Sequence, residues 1–184
     1  MRKLIILYAV ILLVLLPVAG CQQQSSSLPD IESLTYTNSE YGFSVEYPKD
    51  WDVMEDYMGT AVAFMGPLVL EDTYYININV FTEQLLEDMT LEDYVKLSDL
   101  SAKRTIPNYN KQQEYSTTIG GLPATILVAT QTFELDGEDI ALKEKYAIFI
   151  KDEIGYTITY DVPAEFHDEY LDSFDLAINS FKFE

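Results

Sequence analysis

The sequence predicts an α+β domain in which an antiparallel β-sheet is flanked by helices. Several short stretches alternate apolar and polar residues between turn signals, and two longer segments place apolar residues at helical spacing. The chain has 184 residues, of which 48% are hydrophobic, a balance typical of a folded domain. No repeat or second linker divides residues 34–184, so we expect one domain with a single core.

The strand predictions depend on alternation and on turn residues. Residues 43–47 alternate apolar and polar side chains, and Pro48 is expected to end that strand. A short apolar run at 61–65 is expected to stop at Gly66 and Pro67. Turn signals at 120–123 and at Asp136-Gly137 predict two hairpins. The remaining predicted strands are 74–81, 112–119, 124–133, 141–150 and 156–160.

Two helices are predicted. The first begins after Thr90, a capping residue followed by acids, and Lys103 and Arg104 follow where the helix dipole favours cations. The second begins after Pro163 and runs to about Ser180 as an amphipathic helix. Its apolar arc consists of Phe166, Tyr170, Phe174, Ala177, Ile178 and Phe181, and its acidic arc of Glu165, Asp168, Glu169, Asp172 and Asp175.

The first twenty residues predict a lipoprotein signal peptide and not part of the fold. Arg2 and Lys3 precede an apolar run at 4–16, which is shorter than the ~20 residues of a spanning helix. Val-Ala-Gly-Cys at 18–21 resembles the prokaryotic lipobox, which implies cleavage between Gly20 and Cys21 and lipid on the Cys21 thiol. An ordinary secretory signal with an incidental cysteine, or an uncleaved anchor, is the alternative. The sequence thus predicts attachment to the extracytoplasmic face of the cell membrane.

Residues 21–33 are predicted to be the lipidated cysteine and a flexible linker, because Gln, Ser and Pro dominate residues 22–30. The chain carries a formal net charge of −20 at pH 7. Such a surface is repelled by nucleic acid and by anionic headgroups, so we expect no nucleic-acid partner. The excess of acidic residues is explained by solubility or by a saline habitat. Docking to a basic partner or to cations is the alternative explanation.

Catalytic motifs are not found in the sequence. Cys21 is unavailable as a nucleophile if it carries lipid, and His167, the one histidine, lacks a G-x-S-x-G elbow to accompany it. His167 falls on the apolar arc of the second helix, where a packed or rim position is expected. No phosphate loop or dinucleotide fingerprint occurs, so no cofactor is predicted.

Acid clusters are the remaining candidates for chemistry. Asp136, Glu138 and Asp139 lie at a predicted hairpin tip and could offer oxygens to calcium, although they lack the EF-hand spacing. A solvated charged turn is the favoured explanation of these three acids. A carboxylate-based enzyme would instead require a pocket enclosing two close acids, one of them with a raised pKa.

Three segments resemble PsbP-like domains. Residues 41–51, YGFSVEYPKDW, resemble the opening strand, in which an aromatic strand runs into proline and then tryptophan. The turn at 121–124 resembles the central hairpin of that family, and the closing stretch 155–160, Phe166, Tyr170, Phe174 and 180–183 is also similar. The resemblance implies an α/β/α sandwich over residues 34–184. The matched residues belong to the fold, so no functional site is carried over.

The resemblance implies binding and not catalysis. The photosynthetic members dock on photosystem II, and other members include a nuclear-import factor and envelope lipoproteins of the DcrB type. The leading hypothesis is therefore a membrane-anchored, non-enzymatic lipoprotein that binds or stabilises a membrane or envelope protein complex. A module for divalent cations or small ligands is the second hypothesis, and a carboxylate-based hydrolase is the third.

Overall fold

The computed structural model describes residues 31–135 and 137–184. Within these residues the chain forms two sheets, two α-helices and two 3₁₀ turns. The strands are β1 (Ser33–Asn38), β2 (Phe43–Pro48), β3 (Asp52–Glu55), β4 (Val62–Val69), β5 (Tyr74–Gln84), β6 (Asn110–Ile119), β7 (Leu122–Leu135), β8 (Glu138–Lys151), β9 (Ile154–Asp161) and β10 (Lys182–Phe183). The helices are α1 (Leu91–Thr105) and α2 (Leu171–Ser180), and the 3₁₀ turns are Tyr57–Gly59 and Ala164–Phe166.

The strands pair only antiparallel in both sheets. The large sheet has the order β3-β4-β5-β9-β8-β7-β6, and the small sheet has the order β1-β2-β10. The predicted α+β class with an antiparallel sheet between helices is confirmed. The small sheet is an addition, since the sequence placed the 43–47 strand in a single sheet.

The two faces of the large sheet carry different layers. The main core lies on the face covered by α2 and the small sheet, and it includes Phe43, Phe149 and Phe174. A smaller cluster, which includes Tyr94 and Ile148, lies where α1 covers the other face. Gly155 lets α1 approach closely, because a Cβ there would lie 2.7 Å from Cζ of Tyr94.

Helix α1 forms as predicted. Thr90 accepts a hydrogen bond from the Asp93 amide at 3.1 Å, which satisfies one of the unpaired donors of the first turn. Lys103 and Arg104 lie in the last turn, where they complement the helix dipole.

The predicted second helix is wrong in its first half. A 3₁₀ turn occupies Ala164–Phe166, and the α-helix begins only at Leu171. The Tyr160 hydroxyl donates to the carbonyl oxygen of His167 at 2.8 Å, so this carbonyl is held by the sheet instead of by a helical amide. The predicted acidic arc is therefore divided between the turn and α2.

One strand runs past its predicted stop, and two further strands are not predicted by the sequence pattern. Strand β4 does not stop at Gly66 but continues to Val69 through a register shift between Met65 and Leu68. Alternation of apolar and polar residues marks a strand that buries one face. Strands β1 and β3 lack this pattern, and their apolar residues Leu34, Val53 and Met54 are exposed. Backbone pairing with β2 and β4 holds these two strands in place. Among residues 31–135 and 137–184, no helix has both the length and the apolar character needed to cross a bilayer.

Candidate functional site

A groove runs along the α1 face of the large sheet, from beneath α1 to the area that α1 leaves open. It consists of two adjoining cavities of about 270 and 520 Å³ that share Phe81. We call it the sheet-face groove. The first cavity lies beneath α1 and is lined by Phe81, Glu83, Tyr94, Ser98, Ala102, Tyr109, Leu127, Tyr146, Ile148, Thr157 and Thr159. The second is lined by Tyr57, Met58, Thr60, Met65, Thr73, Tyr74, Tyr75, Asn77, Asn79, Phe81, Phe133, Leu135 and Asp161.

Strand alternation decides which side chains reach this groove. In β5, Ile76, Ile78 and Val80 enter the main core, so Asn77, Asn79 and Phe81 project to the opposite face. Phe81, Tyr75 and Phe133 remain 37%, 45% and 44% exposed. The groove therefore combines polar amides on its floor with exposed aromatic rings at its edges.

Asp161 lies in the floor of the groove, and the buried Glu144 lies beside it. Lys145 pairs with Tyr160 and Leu142 with Pro163, a register that places Glu144 opposite Asp161 on adjacent strands. The two carboxyl groups are therefore neighbours, and the charge of Glu144 raises the pKa of Asp161. Such a pair favours holding one proton between its two members, because ionising both would place like charges side by side.

Four neighbouring donors hold the carboxyl pair in place. Gln131 and Tyr146 donate to the two oxygens of Glu144, which is only 2% exposed. Asp161 accepts hydrogen bonds from Asn79 Nδ2 at 2.9 Å and from the Thr159 hydroxyl at 3.1 Å. The donors fix the orientation of the pair but bring no positive charge to it.

No basic side chain within residues 31–135 and 137–184 forms an ion pair with either carboxyl. Burial raises the pKa of Glu144, and the hydrogen bonds from Tyr146 and Gln131 offset only part of that effect. Burial and then the charge of Glu144 raise the pKa of Asp161 well above its ordinary value. The proton is therefore held because ionising both groups would leave two buried charges without a counterion.

Tyrosine hydroxyls surround the pair as donors. Burial, followed by the charges of Asp161 and Glu144, raises the pKa of Tyr74. Burial and the charge of Glu144 likewise raise the pKa of Tyr146. These phenols stay protonated over the physiological range and can donate hydrogen bonds to a ligand or to the carboxyls.

The arrangement meets the requirement stated above for a carboxylate-based enzyme, since two close acids with raised pKa values lie at a groove. Their separation does not match glycoside hydrolysis, in which the two carboxyl groups stand about 5 Å or more apart. His167 cannot assist them, because it packs with Tyr160 in the main-core layer at a ring distance of 5.6 Å. Holding a positive charge is the chemistry that the groove supports most directly.

Comparison with known families and structures places the domain. A family model described as PsbP-like protein matches residues 18–183. The chain belongs to the PsbP-like family. The resemblance found in the sequence is thereby confirmed. No curated protein matches the chain.

Solved structures share this PsbP-like fold at low sequence identity. Cyanobacterial PsbP (CyanoP) from Synechocystis sp. PCC 6803 is 16% identical, with 91% of this chain and 99% of that chain covered and a TM-score of 0.60. LpqN of Mycobacterium tuberculosis, described as involved in cell envelope biogenesis, is 13% identical over 83% and 91% of the two chains, with a TM-score of 0.60. The Ran-binding protein Mog1p of Saccharomyces cerevisiae is 9% identical over 83% and 96%, with a TM-score of 0.57. These likenesses show the fold alone.

Three of the site residues predicted from the sequence, Gly20, Cys21 and Asp136, fall outside the described residues. Glu138 and Asp139 are exposed at the start of β8, opposite Leu135 and Glu134. Within the described ranges, no three His, Cys, Asp or Glu side chains form a group that could hold a metal ion. Cation binding at the hairpin stays a prediction, because one of its three residues is not described.

His167 is buried, as the packed reading of the sequence predicts. It is 5% exposed, and its Nδ1 lies 2.8 Å from Oδ1 of Asp168. Burial lowers the pKa of His167, although the hydrogen bond with Asp168 acts in the opposite direction. The imidazole is therefore neutral at pH 7 and packs in the PsbP-like core.

The sequence does contain a signal for Glu144, although Glu144 is not among the residues predicted above. Tyr146 and Ile148 lie on the same face of β8 as Glu144, and both pack toward α1. Glu144 is therefore a charged residue on an otherwise apolar face of the strand. A charged residue at such a position is rarely buried unless it is paired. Asp161 has no comparable signal, because its proximity to Glu144 depends on the pairing of β8 with β9.

Proposed function

We propose that this PsbP-like protein is a lipid-tethered, extracytoplasmic and non-enzymatic binding protein that binds or stabilises a membrane or envelope protein complex. Lipid on Cys21 attaches it to the cell membrane, and the sheet-face groove is where it contacts its partner. One observation carries this proposal. A carboxyl pair lies beside exposed aromatic rings, on a part of the sheet face that α1 leaves open.

The tether is supported by the sequence around Cys21. A basic head, an apolar run at 4–16 and Val-Ala-Gly-Cys at 18–21 have the order of a lipoprotein signal. The envelope role given for LpqN, which shares the fold, is in keeping with such a location. Residues 22–30 would then separate the domain from the membrane surface.

A non-enzymatic role is supported by the geometry of the carboxyl pair. Gln131 and Tyr146 donate to both oxygens of Glu144, and Asn79 and Thr159 donate to Asp161. Glu144 is also only 2% exposed, so it is not free to position a substrate or a water as a catalytic carboxyl does. Exposed aromatic rings beside them are typical of the central part of a protein interface.

A small-ligand or cation-binding module is the second candidate. The groove favours it over the predicted hairpin site, because Asp161 in the groove and its neighbour Glu144 form no ion pair within residues 31–135 and 137–184. This candidate needs no protein partner and no lipid tether for its activity.

In-cell cross-linking of the native protein, followed by membrane extraction and identification of the cross-linked species, tests the proposed function. We expect the wild-type protein in the membrane fraction, joined reproducibly to one protein complex. Cys21→Ala is expected to release the protein from the membrane and to abolish the cross-linked complex. Membrane retention of the Cys21→Ala protein would contradict the tether, and the absence of any partner above background would contradict the role in a complex.

A further inference from the structure

We propose that the partner inserts a basic side chain, lysine or arginine, into the sheet-face groove, where its positive charge neutralises Glu144 and Asp161. This inference rests on the proposed function, because it takes the groove to be the contact surface. It goes beyond that function by stating the chemistry of the group that the groove receives.

The clearest support comes from comparing two buried carboxyl sites in the same domain. Asp99, which is 7% exposed, has Lys103 Nζ at 2.7 Å and Lys111 Nζ at 3.3 Å. Although its burial acts the other way, these two cations lower the pKa of Asp99. Glu144 is more deeply buried than Asp99 and has no cation within the described part of the chain.

Neighbouring lysines cannot supply the missing charge. Lys143 and Lys145 flank Glu144 in β8, but alternation directs them to the opposite face of the sheet. There Lys145 lies 3.6 Å from Asp175, and its ammonium is 4.9 Å from the centre of the Phe174 ring. In the described part of the chain no positive charge pairs with these carboxyls, which leaves the position open to a cation from another molecule.

The walls of the groove suit a cation on an aliphatic stem. Aromatic faces attract ammonium and guanidinium groups, and a long stem packs against apolar surface while its charged end reaches an acid. Phe81 joins the two cavities, and Tyr74 and Phe133 meet edge to face at 6.2 Å at the open end. A calcium ion would instead require six or more oxygen ligands, which aromatic rings do not provide.

The net charge of the chain and the exposed aromatic side chains of the groove favour a protein side chain over a free small molecule as the occupant. The chain carries a net charge of −20, which attracts a basic partner over a long range. Three aromatic side chains around the acids, Tyr75, Phe81 and Phe133, are between 37% and 45% exposed, and a partner surface would cover them. With one proton held between the two carboxyls the pair carries a single negative charge, so one basic side chain neutralises it while the proton stays in place.

An NMR titration of the full-length protein in a neutral detergent tests this inference. The probes are two acetylated and amidated tripeptides, glycyl-lysyl-glycine and its neutral counterpart with norleucine in place of lysine. The side-chain amide signals of Asn79 and Gln131 report on the site, because both amides donate to the carboxyl pair. We expect the lysine peptide to shift these signals with an affinity at least tenfold higher than that of the norleucine peptide.

Charge-matched variants complete the experiment. Asp161→Asn and Glu144→Gln each remove one acid from the groove and are expected to weaken binding of the lysine peptide at least tenfold. Glu165→Gln, at an exposed position in the 3₁₀ turn, changes the net charge equally and should leave binding within twofold. Two variants at the pair keep the test decisive if one of them fails to fold.

Three results would overturn the inference. The first is equal binding of the two peptides, and the second is the absence of shifts at Asn79 and Gln131. The third is a response of these signals to calcium or to spermidine but not to the lysine peptide, which would assign the groove to a metal or to a small polyamine. A partner complex cross-linked in cells would survive any of these results, so failure of this inference is distinguishable from failure of the proposed function.

Discussion

Phe149→Ala is expected to lower the free energy of unfolding by about 3–5 kcal/mol, the usual cost of truncating a buried aromatic side chain. Phe149 is completely buried and stacks on Tyr156 at 5.3 Å with nearly parallel rings. Its ring also meets Phe181 edge to face at 5.1 Å, so the substitution opens a cavity between the large sheet and the end of α2. Because a domain of this size is stable by about 5–15 kcal/mol, this loss is a large part of the total.

Phe133→Ala is the matched control for that substitution. Phe133 is 44% exposed at the edge of the groove, so we expect a change of no more than about 0.5–1 kcal/mol. Urea denaturation followed by circular dichroism measures both variants. Equal losses in the two would contradict the assignment of Phe149 to the core and of Phe133 to an open surface.

The carboxyl pair is expected to make folding less favourable as the pH rises. A carboxyl whose pKa is raised by folding contributes stability that is fully present below its ordinary pKa, which is 4.5 for Glu144 and 3.8 for Asp161. That contribution is lost as the pH rises through the raised pKa of the folded state. Between pH 5 and pH 8, we therefore expect the wild-type protein to lose about 1–3 kcal/mol relative to Asp161→Asn, the cost typical of a poorly compensated buried group.

Asp161→Asn is the informative change because its amide can donate to Glu144 as the shared proton does. Asp139→Asn, at an exposed hairpin position, alters the net charge equally and serves as the control. The measurement is the free energy of unfolding at several pH values for the three proteins. A wild-type curve parallel to that of Asp161→Asn across this range would mean that the pair is not protonated by folding.

The layers of the fold were predictable because local patterns determine them. The cap at Thr90 and the apolar positions around Tyr94 determine α1 without help from distant residues. The hairpin at 120–123 likewise depends on adjacent residues. The opening strand at 43–47 was found through its alternation, but its placement in a separate sheet depends on pairing with β10, a contact between residues about 140 positions apart in the sequence.

The errors arise where tertiary contacts overrule the helical pattern. Phe166 and Tyr170 continue the apolar spacing of α2, yet the Tyr160 hydroxyl binds the His167 carbonyl and interrupts the helix. No property of residues 163–170 taken alone shows this contact. Strand β3 was missed for a related reason, since its side chains are all exposed and only pairing with β4 defines it.

The candidate site was the least predictable part. Sequence clusters of acids suggest the hairpin at 136–139 as a weak candidate for a metal, with a solvated turn as the favoured interpretation. The acids that meet in the structure, Glu144 and Asp161, are separated along the chain and meet only through the register of β8 and β9. Long-range pairing, and not local composition, creates the pair.

Site-specific photo-cross-linking in living cells tests the central claim that the sheet-face groove is the contact surface. A photoreactive residue would replace Tyr75, which lies in the groove and is 45% exposed, or Leu34, which lies on the small sheet and is 50% exposed. The account predicts one reproducible protein adduct from position 75 and none from position 34. An adduct from position 34 alone, or no adduct from either position, would contradict it.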